Sequence, residues 1–265
     1  MNDKVTELLQ SMRAELKEYM ATDEGWAAWL TKAAMLHQYS AGNVTLMLSQ
    51  RRTVSTVMGY KAWQKAGRQV KVGEKGLAIL APMVKKEQDE KGTDRVVATW
   101  YRIVYVFDVE QTEGEPFLPT KRMDTASHPE ALATLWAYAE GKGLEVQLAD
   151  TGAAGGYITK ERIVLSDQVE VDQRLRTLVH ELAHHELGHV GDPCKTGALK
   201  ELEAESVAYV VASILGLPAK DFSLPYLAAW AGERAEYYGE ALKAGSAESI
   251  IRVTRVLLGV LGAAE

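Results

Sequence analysis

Residues 180–184 read His180-Glu181-Leu182-Ala183-His184, and three glutamates, Glu201, Glu203 and Glu205, follow further along the chain. Four of the six histidines, His180, His184, His185 and His189, fall between 180 and 189. Two histidines four apart lie one above the other on a helix face, about 6 Å apart. Both imidazoles then reach one tetrahedral metal ion. The glutamate beside the first stands ready as general base toward a water at that metal.

The flanking residues predict a helix. Asp172 reads as its N-cap. Leu175, Leu178, Val179, Leu182 and Ala183 recur at helical spacing, and Gly188, Gly191 and Pro193 supply stop signals. One face packs on a core and the opposite face carries His180 and His184. A second frame overlaps the first, His185-Glu186-Leu187-Gly188-His189. It sets its histidines beside the packed stripe, and Gly188 weakens the helix there. The first frame is preceded by the uncharged Thr177-Leu178-Val179, as a buried metal helix requires.

A catalytic zinc site takes three protein ligands and keeps one position open. A third histidine six residues after His184, with glycine three after it, is excluded because Leu187 and Val190 stand there. A glutamate from the next helix, about 198–215, is the other common solution. Ala204, Val207, Ala208, Val211, Ile214 and Leu215 form its apolar side, and Gly216-Leu217-Pro218 ends it. Glu201 and Glu205 share a face, whereas Glu203 points elsewhere and reads as solvated. Glu205 is taken as the ligand and Glu201 as the partner that orients a histidine N–H.

The stretch TLVHELAHHELGH and the later ELEAESVAYVVASILGL resemble the zincin-like metallopeptidases of the ImmA/IrrE type. They also resemble the C-terminal domain of ArdC-type antirestriction proteins. In those families the third ligand opens a helix of the form Glu-Ala-x-x-aromatic-Ala. Setting its aromatic on Tyr209 places the ligand at Glu205, with Ser206 where alanine is usual. The resemblance also implies an edge strand beside the cleft that binds an extended peptide by strand addition. Gly155 to Thr159 and Arg162 to Leu165 are the strands that fit, turning near Lys160-Glu161. Tyr157 is then placed to assist an oxyanion.

The whole chain bounds the reading. At 265 residues, 47% hydrophobic and 25% charged, it describes a soluble protein of one large or two small domains. It contains no run of eighteen apolar residues, which argues against a membrane span. The charged N-terminus has no signal-peptide core, and the one cysteine, Cys194, suits a reducing cytoplasm. The net charge of −6 is uneven: residues 126–265 carry 12 basic and 20 acidic side chains, residues 1–125 carry 18 and 16. Between 50 and 86, Arg51, Arg52, Lys61, Lys65, Arg68, Lys71, Lys75, Lys85 and Lys86 face one acid, Glu74. Such a patch attracts phosphates.

The pattern predicts an α+β protein of two domains, residues 1–112 and 129–265, joined by a linker at 113–128. The first domain reads as helices at 3–20, 24–38, 43–50 and 60–66. A small, mostly antiparallel sheet follows, with strands at 69–72, 77–83 and 96–108 and a polar hairpin loop at 84–94. The second reads as a helix at 129–141, a strand at 144–149, the hairpin, the zinc helix and the glutamate helix. Two further helices, about 224–243 and 247–262, close it.

Tyr60, Lys61, Trp63, Lys65 and Arg68 interleave aromatic and basic residues. Bases stack on the one and the nucleic-acid backbone follows the other. The pattern Trp26, Leu30, His37, Tyr39-Ser40, Asn43, Leu46 and Gln50 resembles the N-terminal domain of ArdC-type proteins. So do Gly59-Tyr60-x-x-Trp63, Gly67-Arg68-x-Val70-x-x-Gly73-Glu74-Lys75-Gly76 and Val106-Phe107-Asp108-Val109-x-Gln111-Thr112. Arg51-Arg52-Thr53 stands where that family has a proline-containing loop. The resemblance implies single-stranded DNA binding and protection of incoming DNA from restriction, as in a mobile element or phage. Its contact residues would be Arg51, Arg52, Tyr60, Lys61, Trp63, Lys65, Arg68, Lys71 and Lys75. It also implies a zinc peptidase built on His180, His184, Glu205 and the base Glu181. Two other readings fit the same residues: a regulatory metallopeptidase of the ImmA/IrrE kind that cleaves a repressor, and a DNA-masking protein whose zinc is structural.

Overall fold

Residues 3–19, 22–88, 94–117, 128–217 and 245–262 are described by a computed structural model. The helix expected at 224–243, residues 118–127 of the linker and residues 89–93 of the loop expected at 84–94 lie outside the described residues; 84–88 and 94 belong to strands instead of that loop. The chain divides into two compact units, Met1–Leu16 with Gly42–Phe117, and Lys17–Ala41 with Leu118–Glu265.

The first unit joins helices to antiparallel strands. Its helices are α1 (Asp3–Tyr19, of which 3–16 belong here), α3 (Ala41–Gln50, from Gly42 onward) and the short α4 (Tyr60–Lys65). The strands are β1 (Val57–Met58), β2 (Arg68–Val70), β3 (Leu77–Gln88), β4 (Asp94–Asp108) and β5 (Thr112–Gly114). β4 lies between β1 and β3, and β2 pairs with β5; all of these pairings are antiparallel. Val5, Leu46 and Leu80 form a core with Leu8, Leu9, Met12 and Ile103.

α3 covers the backbone of β3 through two amides. Asn43 Nδ2 donates to Leu80 O and Asn43 Oδ1 accepts from Leu80 N, both at 2.9 Å. Gln50 repeats the arrangement at Ala78, at 2.9 and 2.8 Å. Two helical turns thus match a two-residue step along β3, and each amide stands in for a neighbouring strand. At the end of β4, Asp108 accepts from Ser55 N (2.7 Å) and from Glu110 N (3.0 Å) and opens a reciprocal cap with Gln111. Asn43, Gln50, Asp108 and Gln111 therefore have structural work to do.

In the second unit, α5 (His128–Gly141) leads into a three-stranded sheet of β6 (Glu145–Ala149), β7 (Gly156–Ile158) and β8 (Arg162–Ser166). β8 is central, parallel to β6 and antiparallel to β7. α6 (Val171–Glu186), α7 (Gly197–Leu215) and α8 (Ser246–Val260) follow. Every residue from Glu203 to Ala212 is buried, so α7 is the unit's central helix, covered on all sides.

α2 (Asp23–Met35) packs on α7, which is why residues 17–41 group with the second unit and not with the sequence half expected to hold them. The fully buried Trp26 and Trp29 stack at 5.0 Å. Trp26 Nε1 donates to Ser206 Oγ at 3.0 Å, and the Thr31 and Tyr209 hydroxyls meet at 3.0 Å. Ser206 thus satisfies a buried indole N–H.

Asp172 is not the N-cap of α6. The helix starts two residues earlier, at Val171; Glu170 holds the N-cap position without a side-chain bond, and Asp172 sits in the first turn. There its carboxylate faces the positive helix end and accepts from His128 Nδ1 at 2.6 Å.

Candidate metal centre

α6 presents His180 and His184 one turn apart on the side away from the buried Leu175, Leu178, Val179 and Leu182. Their Nε2 atoms lie 3.1 Å apart. The early turns of α7 bring Glu201 against both: Oε2 is 3.4 Å from His180 Nε2 and Oε1 is 3.4 Å from His184 Nε2. One ligand atom from each of these residues falls within a 4.8 Å group. Glu205, the expected ligand, is not in it. Its Oε2 accepts from His180 Nδ1 at 3.0 Å, on the far edge of the ring, and its Oε1 pairs with Arg176. One further turn of α7 carries Glu205 past the Nε2 pair to the Nδ1 edge of His180.

The donor set suits a divalent cation. Ligands about 2.0–2.1 Å from a tetrahedral ion stand roughly 3.3–3.4 Å from one another. The spacings of 3.1, 3.4 and 3.4 Å are close to that. Both imidazoles also have their Nδ1 atoms engaged, which leaves Nε2 to face the shared point.

Burial drives His180 down, but hydrogen bonds to Glu201 and Glu205 outweigh it and push it up to about 10. Burial raises Glu201, yet its two histidine partners take it well below the ordinary carboxylate range. Burial raises the Glu181 carboxyl above its usual value, against His180 and His184.

His180, Glu181, His184 and Glu201 line a cleft of about 890 Å³. β7, one of the two edge strands of the sheet, forms another wall and places the half-exposed Tyr157 there. Close approach of β7 to α6 requires glycine at 156, where a Cβ would lie 2.6 Å from Val164 O and 2.9 Å from Thr177 Cγ2.

Two residues have roles the sequence did not reveal. Glu203, expected to be solvated, is fully buried and accepts from His189 (2.7 Å), Lys195 (2.6 Å) and Ser246. These bonds hold it below the usual carboxylate range although burial opposes them. His189 lies beyond the helix. Gly188, at φ +71°, ends α6 and returns the chain so that His189 N donates to His184 O at 2.9 Å. The overlapping frame at 185–189 therefore does not lie on one helix. The spacing His184…His189…Glu203 carried no helical signal by which to find this cluster.

In the first unit the expected nucleic-acid contacts divide. Trp63 is fully buried and donates from Nε1 to Phe107 O at 2.8 Å, so it offers no face to a base. Arg51 pairs with Glu110 at 2.7 Å, and Lys71 Nζ donates to Glu110 O at 2.9 Å. Arg68 donates to Thr112 and Glu115. Arg52, Tyr60, Lys61, Lys65 and Lys75 are exposed, Arg52 within 3.4 Å of Glu15. Trp100, Tyr101 and Tyr105 on β4 are exposed as well.

Comparison with known families places this architecture. Residues 1–109 match the N-terminal domain of anti-restriction factor ArdC, and residues 139–244 match the IrrE N-terminal-like domain of the M78 peptidases. The chain is thus similar to the ArdC N-terminal domain in its first part and to the IrrE N-terminal-like domain in its second. The Mn(II)-bound crystal structure of the antirestriction ArdC protein from plasmid R388 has the same fold at 19% identity and a TM-score of 0.58. That match covers 96% of this chain and 99% of the other. A Bacillus anthracis protein named only as uncharacterized protein pXO2-81 is 23% identical over 278 residues, or 86% of this chain. The chain spans 46% of that relative's length. Among the described residues no helix is long and apolar enough to cross a membrane.

Proposed function

We propose that this chain is an antirestriction-type protein of a mobile element or phage. Its second domain would be a divalent-metal-dependent peptidase and its first would bind single-stranded DNA in the cytoplasm. The observation that carries the peptidase reading is the triangle of His180 Nε2, His184 Nε2 and Glu201, with Glu181 buried in the same cleft. Glu201 replaces Glu205 in the proposed ligand set because only its carboxylate faces both Nε2 atoms. Two imidazoles and a carboxylate suit zinc; the similar R388 protein has been crystallised with Mn(II).

A divalent cation held by His180, His184 and Glu201 would supply Lewis-acid chemistry to a scissile carbonyl and to a water. Glu181 would take a proton from the attacking water and pass it to the leaving amine. A carboxyl raised by burial is suited to both halves of the transfer. β7 offers its outer edge to an extended peptide, and Tyr157 at the cleft wall is the proposed donor to the oxyanion. Glu205, held by Arg176, keeps the His180 ring in register.

For DNA, the exposed Arg52, Tyr60, Lys61, Lys65 and Lys75 make up the proposed footprint, with Trp100, Tyr101 and Tyr105 as further stacking surfaces. Arg51, Arg68 and Lys71 serve mainly to hold loops together.

Metal content after dialysis, measured for wild type and His184→Ala, tests the site. Equal metal in both would sink the assignment. Binding of a labelled oligonucleotide across a salt series tests the first domain: negligible affinity even at low salt would leave only a peptidase.

A further inference from the structure

We propose that His189 and Glu203 are positioning residues that set the tautomer of His184 and aim its Nε2 at the metal position. This rests on the metal reading of the site and adds two residues to it.

The hydrogen bonds form a chain with only one protonation pattern compatible with ligation. His184 Nδ1 lies 3.0 Å from His189 Nδ1, and His189 Nε2 lies 2.7 Å from Glu203 Oε2. One nitrogen of the first pair must carry a hydrogen and the other a lone pair. Lys195 and Ser246 also donate to Glu203, so its carboxylate is an acceptor throughout. His189 Nε2 must therefore carry a proton. In neutral His189 the Nδ1 is then bare and accepts from His184 Nδ1–H. That leaves the His184 Nε2 lone pair pointing at His180 Nε2 and Glu201. The reverse arrangement, with a hydrogen on His189 Nδ1, would set a proton on His184 Nε2 and block ligation.

The surroundings hold this chain in place. His189 and Glu203 are 3% and 0% exposed, so water does not compete for either bond. The His189 backbone is tied at both ends, by its N–H to His184 O at 2.9 Å and by its carbonyl, which accepts from Lys200 Nζ at 3.0 Å. His180 reaches its carboxylate directly through Glu205. His184 reaches one through a second imidazole. The two metal histidines are oriented from opposite sides by different means.

The test uses the 265-residue chain and a zinc titration against a chelator. His189→Leu removes the acceptor and is expected to weaken zinc binding about tenfold to a hundredfold. His189→Gln keeps an acceptor for His184 and a donor for Glu203, and should bind within a few-fold of wild type. Nitrogen-15 NMR of the zinc-loaded wild type should find the hydrogen on Nδ1 of His184 and on Nε2 of His189. That readout does not depend on whether either variant folds. A hydrogen on His189 Nδ1, or unchanged zinc affinity in a folded His189→Leu, overturns the proposal while leaving the metal site intact. Failure of the wild type to bind zinc, with His184→Ala no different, overturns both.

Discussion

Glu201 and Glu205, one turn apart on α7, meet opposite edges of the same imidazole. Glu201 Oε2 lies 3.4 Å from His180 Nε2, and Glu205 Oε2 lies 3.0 Å from His180 Nδ1. The two carboxylates are the same chemical group in different positions, and the task proposed for each follows from the nitrogen it faces. Glu201→Ala is expected to abolish tight metal binding, because it removes the proposed third ligand. Glu205→Ala is expected to weaken it about tenfold to a hundredfold, because it only frees the ring to turn. Titration against a chelator measures both; a larger loss for Glu205→Ala would reverse the assignment.

Glu181→Gln separates chemistry from binding. The amide keeps the size of the side chain but cannot take a proton. Metal content should remain at the wild-type level, while peptide cleavage falls by about a hundredfold or more. Unchanged protection of DNA from restriction in this variant would show that peptide cleavage is not part of that task.

Metal uptake should release protons. The metal-free His180 holds its proton up to about pH 10, because Glu201 and Glu205 outweigh the effect of burial. A folded-state value above the ordinary 6.5 stabilises the metal-free fold fully below that pH. The stabilisation is lost as pH rises through about 10. A cation arriving near pH 7.5 must displace this proton, so its apparent affinity rises with pH across that window. Calorimetry in buffers of different ionisation enthalpy should read close to one proton released per ion bound. Zero release at pH 7.5 would contradict the protonated cluster.

Trp63 and Tyr60 should separate stability from DNA binding. Trp63 is fully buried, and Trp63→Ala should cost about 3–5 kcal/mol in thermal or denaturant unfolding. Tyr60 is 44% exposed; Tyr60→Ala should change stability by roughly 0.5 kcal/mol or less while weakening oligonucleotide binding. Wild-type oligonucleotide affinity in Tyr60→Ala would remove it from the footprint.

Ser206→Ala should cost about 1–3 kcal/mol, since it leaves the buried Trp26 indole N–H without its acceptor. In a Trp26→Phe background the same change should cost much less. A double-mutant cycle reads the difference, and additive costs would mean that the bond contributes nothing.

The parts of this protein legible in its sequence are those governed by local period and by chemistry at short spacing. His180, Glu181 and His184 share one helix, so their relation follows from helical geometry alone. The strands at 145–149, 156–158 and 162–166 announced themselves by composition, and Gly188 and Gly216 marked helix ends. The motifs that carry the resemblance were equally visible, although Asn43, Gln50, Asp108 and Gln111 prove to brace strands and loops.

The tertiary structure alone decided the rest. Helical spacing puts Glu201 and Glu205 on one face but does not say how far α7 slides along α6, and that offset selects the carboxylate beside the Nε2 pair. Glu203 has the sequence appearance of a solvated residue, yet it is buried because Ser246, Lys195 and His189 converge on it from separate parts of the chain. Trp63 sits among lysines in sequence and in a core in space. Residues 17–41 left their sequence neighbours because Trp26 and Thr31 found partners on α7. Local pattern determines which face of a helix is chemical. Which groups meet across that face depends on packing between elements distant in the chain, and no short-range spacing records it.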